Sequence, residues 1–222
     1  MSSVRIWVYL AALLALVALG LAWRLRHAPN ELATYIAGRG FILTEQARVA
    51  PKGMTLIVGD SIVERAWHPE VCGAAAFNAG ISSAALRDLA PLATTLVPIL
   101  QPSRIILAIG TNDAAVGRAV PTEEWIGAYG QLLDALPKDR VELVAAPAVE
   151  PGKLASGLID SADLAAKNRA LRALAIRRGV AFAPSIAIAT GDGLHPTAAG
   201  AAAWRANVEL HCPRASGRKD RP

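Results

Sequence analysis

The chain has 222 residues, 53% of them apolar and 18% charged, with a mean hydropathy of +0.34, which excludes a disordered or low-complexity protein and suits one domain with appendages. The formal charge of +5 resides in the ends: residues 1–29 sum to +3, 30–52 to +1 and 214–222 to +3, so residues 53–213 lie near −2 and offer nucleic acid no basic footprint. Two cysteines 140 positions apart exclude a disulfide framework and a four-ligand zinc site, but they allow one bridge.

Ile6 to Trp23 is a run of eighteen uncharged residues, about 27 Å as a helix, close to the apolar thickness of a bilayer. Residues 1–23 therefore read as a transmembrane anchor, with a cleaved signal peptide as the alternative. Trp7, Tyr9 and Trp23 near the ends fit interfacial belts. Arg5 precedes the run while Arg24 and Arg26 follow it, so the flanking charges leave its orientation open. Residues 24–50 read as a tether, with breaks at Pro29, Gly38, Gly40 and Pro51. Residues 51–212 read as the globular domain, and 213–222 as a disordered basic tail.

Within the domain, short apolar runs alternate with helical stretches. Thr55 to Val58, Ala74 to Phe77, Arg104 to Ile109, Val141 to Ala145 and Val180 to Ala183 are mostly continuous apolar runs, as in parallel strands buried on both faces. Ile62 to His68, Ala84 to Leu100, Thr122 to Leu136 and Ser161 to Arg178 read as helices, the second interrupted by Pro91 and Pro98. The expectation is a three-layer α/β/α sandwich around a five-stranded parallel sheet, flavodoxin-like, with one N-terminal transmembrane helix.

Open parallel sheets place their sites at the carboxyl ends of the strands. There the sequence has Gly59-Asp60-Ser61, Asn78-Ala79-Gly80, Gly110-Thr111-Asn112-Asp113 and Asp192-Gly193-Leu194-His195. A serine at a strand-to-helix turn exposes its hydroxyl at a helix N-terminus, a histidine three residues from a carboxylate can be oriented by it, and amide groups can stabilise an oxyanion. Ser61 is thus the candidate nucleophile, His195 the base and Asp192 its orienting carboxylate. The N–H groups of Ser61 and Gly80 and the Asn112 side chain are the candidate oxyanion donors. His27, His68 and His211 lack such context and read as structural or solvated.

The stretches GDSIVERAW, FNAGISS, AIGTND and DGLHPTAAGAAAW resemble the SGNH, or GDSL, hydrolase family, from Thr55 to roughly Leu210. They are most similar to its branch of platelet-activating-factor acetylhydrolases and bacterial acyl esterases. The resemblance implies the same roles for Ser61, Gly80, Asn112, Asp192 and His195, and no cofactor or metal. Two departures stand out. Ile62-Val63 replaces the Leu-Ser common after the first motif in the lysophospholipase and thioesterase branch, and Ser82-Ser83 replaces the usual glycine-rich continuation of the second block.

Dinucleotide, P-loop and zincin motifs are absent from the sequence, as is the G-x-S-x-G elbow, since Val63 stands where its second glycine would be. No long insertion separates Ser61, Gly80 and Asn112, which points to an open site for short acyl groups, acetyl first, on a larger alcohol, a small molecule or glycan. Trp67, Trp125 and Trp204 lie in helical patterns and read as core rather than sugar platforms. The expected protein is a membrane-anchored monomer. A lysophospholipase or thioesterase at the bilayer surface, and a tethered binding module without turnover, are the alternatives.

Cys72 lies between the first helix and the second strand, at the end of the sheet away from the site, and Cys212 follows a final helix running back from His195. A bridge between them is therefore a candidate. It would favour a periplasmic or extracellular location, with a secreted protein if the N-terminal segment is cleaved.

Overall fold

The computed structural model describes residues 3–26, 30–66 and 68–212. His27, Trp67 and the basic segment 213–222 lie outside the described residues. The chain divides into two compact units, residues 1–35 and 36–222.

The first unit is dominated by helix α1 (Ser3–Arg26). Its side chains are described from Trp7 to Trp23, and all of these are exposed. The expected membrane span does not emerge: among the described residues no helix is long and apolar enough to cross a membrane. Helix α2 (Glu31–Val49) runs from this unit into the second, where a tether was expected. Gly38 and Gly40 do not break it, because an interior glycine costs a helix only about 1 kcal/mol. Burial of Leu43 and Ala47 offsets that cost.

The second unit is built on one sheet of six strands rather than five, in the order β2-β3-β1-β4-β5-β6. Strands β1 (Thr55–Gly59), β3 (Ala74–Gly80), β4 (Arg104–Ala108), β5 (Val141–Val144) and β6 (Ala181–Ala183) pair in parallel. Counted alone, these five run in the flavodoxin-like order 2-1-3-4-5. The addition is β2 (Glu70–Val71), antiparallel to β3 at the edge. Two residues carry no periodicity, and only the pairing of Glu70 with Ala75 and of Val71 with Ala74 defines this strand.

Alternate residues of the central strands feed two cores. Leu56, Val58, Ile105 and Leu107 pack on one face with α2, α4 (Leu86–Leu100), α5 (Thr122–Asp134) and α6 (Ser161–Arg178). Ile57 and Ile106 pack on the other face with Val63 of α3 (Ser61–Glu64) and with Trp204 and Val208 of α7 (Ala198–Glu209). Both faces are covered, which is why the strands read as continuous apolar runs. Trp125 and Trp204 are core residues, as their helical spacing implied. Helix α4 accommodates Pro91 and Pro98, with the Thr94 and Thr95 hydroxyls donating to the Pro91 carbonyl at 2.9 Å. The first helix after β1 is one turn long, not the longer Ile62 to His68 expected.

Two ion pairs are buried beside the sheet. Arg104 Nη1 meets Glu142 Oε2 at 2.6 Å across β4 and β5. Burial pushes the Glu142 carboxyl up, and Arg104 opposes it. Lys167 of α6 is fully buried and donates to Asp163 Oδ2 at 2.6 Å and to the Val120 carbonyl at 2.7 Å. Cys72 and Cys212 form a disulfide, with their Cα atoms 5.8 Å apart. Cys72 precedes the first residue of β3, while Gly80 is the last, so the bridge lies at the end of the sheet opposite the carboxyl end.

Candidate active site

Strand β1 ends at Gly59 and the chain turns at once into α3, which places Ser61 at the first helical position. Asp60 is the N-cap, its Oδ1 accepting from Ile62 N at 2.9 Å. Burial pushes the Asp60 carboxyl up to about 6, with the Ile62 N–H opposing. Asp60 thus caps α3 through its side chain, and the Ser61 hydroxyl is not used in that cap.

The loop after β6 brings the second group. His195 Nε2 stands 3.0 Å from Ser61 Oγ, and His195 Nδ1 stands 2.7 Å from Asp192 Oδ2. Asp192 Oδ1 also accepts from the backbone N–H groups of Leu194 at 3.0 Å and His195 at 2.8 Å. Burial raises the Asp192 carboxyl, but these N–H groups and the imidazole outweigh it and hold the group well below the usual carboxylate range. An ionised Asp192 fixes the proton on Nδ1 and leaves the Nε2 lone pair facing the Ser61 hydroxyl.

This loop is clasped by the segment after β5. Ala155 N donates to the Asp192 carbonyl at 2.8 Å, Glu150 N to the Gly193 carbonyl at 2.9 Å, and Lys153 Nζ to the Thr190 carbonyl at 2.6 Å. Gly193 has φ +101°, and a Cβ there would stand 2.9 Å from the Glu150 carbonyl oxygen, so glycine is needed on both counts.

The expected oxyanion donors divide. Asn112, one residue into the turn after β4, lines a cavity of about 290 Å³ with Ser61 and His195. It donates one amide hydrogen to the Ala84 carbonyl at 3.0 Å, which orients the group and leaves its second hydrogen. Gly80 does not line that cavity: its N–H donates to Asn78 Oδ1 at 2.9 Å. It is a packing position, since a Cβ there would stand 2.2 Å from Glu64 N. Asn78 also donates to the Val63 and Ala66 carbonyls, at 2.7 and 3.1 Å, which ties β3 to the chain leaving Ser61.

Ser82 and Ser83 line the cavity in place of Gly80, Ser83 in the left-handed region at φ +62°. Its loop is pinned on three sides. The N–H and hydroxyl of Ser82 both donate to Glu64 Oε2, Arg118 Nη2 donates to the Ser83 carbonyl at 3.3 Å, and Asn112 holds the Ala84 carbonyl. Glu64 is itself paired with Arg39 of α2 at 3.3 Å. Among the described residues, the N–H groups of Ser61 and Ser83 are committed to no hydrogen bond. The departure from glycine at 82–83 was the available signal for Ser83 in the sequence. No group of residues among those described could hold a metal ion. His68 is buried against Trp204 with ring centroids 4.8 Å apart, and His211 Nδ1 lies 2.9 Å from the Asn207 carbonyl oxygen.

The fold is shared with solved structures. A proposed platelet activating factor of Streptococcus pneumonia superposes with a TM-score of 0.70 at 22% identity, over 87% of this chain and 99% of that one. A GDSL-like lipase of Bacteroides thetaiotaomicron gives 0.63 at 21% identity, over 79% and 97%. Est24, a carbohydrate acetylesterase of Sinorhizobium meliloti, gives 0.54 at 18% identity, over 72% and 97%. No curated protein matches the chain. The pattern of the GDSL-like lipase/acylhydrolase family matches residues 57–203, which run from within β1 through the Ser61 turn and Asn112 to the Asp192–His195 loop: the chain belongs to that family and is an ester-hydrolysing enzyme.

Proposed function

We propose that the protein removes short acyl groups, acetyl first, from an alcohol or sugar by a two-step acyl-enzyme mechanism. The observation that carries this reading is the continuous relay from Asp192 Oδ2 through His195 to Ser61 Oγ, at 2.7 and 3.0 Å. Ser61 Oγ attacks the ester carbonyl while His195 Nε2 takes its proton. The same imidazolium returns that proton to the departing alcohol oxygen, and a water activated by Nε2 then hydrolyses the acyl-serine. Asp192 keeps the imidazole in the required tautomer and stabilises its charged form.

The oxyanion is received by the Ser61 N–H at the start of α3 and by the Asn112 side chain, with the Ser83 N–H in the place first expected for Gly80. The acyl pocket is the cavity of about 290 Å³, with Ala115, Val116, Leu158, Ile159 and Leu194 on its walls. The absence of a long insertion between Ser61, Gly80 and Asn112 supports a short acyl group, and one structural neighbour is a carbohydrate acetylesterase.

The eighteen uncharged residues from Ile6 to Trp23 support a membrane-directed N-terminal segment, retained as an anchor or removed as a signal peptide. The Cys72–Cys212 bridge supports an oxidising compartment for the enzyme domain, periplasmic or extracellular.

Nitrophenyl esters of increasing chain length test the reading with the full-length chain in a neutral detergent. Turnover should be greatest for acetate and vanish in Ser61→Ala. A long-chain optimum would favour a lipid substrate, and no turnover at all would favour a binding module.

A further inference from the structure

A second cavity, of about 400 Å³, shares a lining residue with the first. Arg65, the residue that ends α3, lines both of them. The second cavity is lined by the small side chains Ala198, Ala201 and Ala202 of α7 and by Pro196 and Thr197, which directly follow His195. It is thus lined by the residues that directly follow the base in the chain, and the base is the group that hands a proton to a departing alcohol.

The charge of these walls is one-sided. Arg65 and Arg205 line the second cavity, Arg65 and Arg118 the first, and no Asp or Glu lines either. Residues 53–213 sum to about −2, so three cations on the walls of two cavities that share Arg65 are a local concentration against the general balance. Among the described residues, neither Arg65 nor Arg205 has a carboxylate partner. Arg118 is already engaged with the Ser83 carbonyl.

His68 lines the second cavity and is 4% exposed, and its buried Nδ1 has no hydrogen-bond partner. Burial and the neighbouring Arg205 hold this imidazole down to about 4, so it is neutral at pH 7 and adds no third positive charge. An unpaired guanidinium fork presents parallel N–H donors that match carboxylate or phosphate oxygens.

Building on the proposed esterase reaction, we infer that the substrate is an ester whose alcohol carries a compact anion, a carboxylate or a phosphate, held by Arg65 and Arg205 in the second cavity. The acyl group occupies the first cavity and the anionic alcohol the second. Arg65 lines both, and Arg205 sets the preference for an anion.

The test uses acetyl esters of para-substituted phenols and the full-length chain in neutral detergent at low salt. The carboxylate probe is 4-acetoxybenzoate, the phosphate probe is 4-acetoxyphenyl phosphate, and the neutral reference is methyl 4-acetoxybenzoate, each rate being divided by its hydroxide-catalysed rate. The wild type should favour at least one anionic probe over the neutral one in kcat/KM. That ratio should fall about tenfold in Arg205→Ala and in Arg65→Ala, which is the order expected for loss of one charge-assisted contact. It should be partly kept in Arg205→Lys and should shrink at high salt in the wild type. Whichever anionic probe is preferred identifies the anion. Circular dichroism confirms that the variants are folded, and Arg205→Lys provides the reading if Arg205→Ala is not. If the wild type cleaves the neutral ester and Ser61→Ala does not, while the ratio is the same in wild type and arginine variants, the anion site is wrong and the esterase reading survives. If no probe is cleaved, both fall.

Discussion

Gly80 donates its N–H to Asn78 Oδ1 at 2.9 Å and packs so tightly that a Cβ would meet Glu64 N at 2.2 Å. The glycine of the second sequence block thus serves packing, and Ser82 and Ser83 line the cavity in its place. Gly80→Ala should lower stability by about 1–3 kcal/mol through overpacking, read as a lower urea midpoint. Ser83→Gly keeps the N–H and relieves a left-handed side-chain residue, so kcat should stay near the wild-type value. A collapse of kcat in Ser83→Gly would contradict the placement.

Asn112 should act on the rate. Its side-chain N–H contributes when the carbonyl oxygen becomes negative, so Asn112→Ala should lower kcat about a hundredfold with KM little changed. Steady-state kinetics on nitrophenyl acetate checks this, and a change confined to KM would remove Asn112 from the oxyanion hole.

The Arg104–Glu142 pair is a stability feature remote from Ser61, on the buried pairing of β4 with β5. Removing one partner strands a buried charge, so Glu142→Ala should cost about 3–5 kcal/mol. Replacing both residues by apolar ones of similar volume, Arg104→Met with Glu142→Leu, should be near neutral. Denaturant titration of the single and double variants measures the difference.

The bridge between Cys72 and Cys212 closes 140 residues at the end of the sheet away from Ser61. In the chain-entropy model such a loop is worth about 5 kcal/mol. Cys72→Ala with Cys212→Ala should therefore lower the melting temperature strongly while the folded enzyme keeps its kcat. Calorimetry and active-site titration read the two effects separately.

Acid should act through two buried groups of opposite sign. His68 is held at about 4 against an ordinary 6.5, so the unfolded chain takes the proton first and stability falls as pH drops from 6.5 to 4. Asp60 is raised to about 6 from 3.8, so the native state takes that proton first and gains stability as pH drops through 6. His68→Gln should remove the first contribution alone, and its unfolding free energy should fall less than that of the wild type between pH 6.5 and 4.

Much of this was legible because the informative residues are local. Thr55 to Val58 and Arg104 to Ile109 announce strands covered on both faces, and Asp192 with His195 sit three apart, as an oriented imidazole requires. Strand β2 was not legible, since two residues have no period and an edge pairing across a turn defines them. Helix α2 was hidden by Gly38 and Gly40, whose modest cost is offset by the distant packing of Leu43 and Ala47. Ser83 was hidden because serine is uncommon at positive φ, and the loop is held there by Glu64, Arg118 and Asn112 from three other segments. Arg65 and Arg205 lie 140 positions apart, and only the fold brings them to one cavity.

The central claim is that Ser61 Oγ is the nucleophile activated by His195. The most direct measurement is covalent trapping: the full-length chain is treated with a fluorophosphonate, digested, and the modified peptide identified by mass spectrometry. A single adduct on Ser61, strongly slowed in His195→Ala and absent in Ser61→Ala, is the result expected. Esterase activity that persists in Ser61→Ala, or an adduct on another residue that abolishes activity while Ser61 is unmodified, would contradict it.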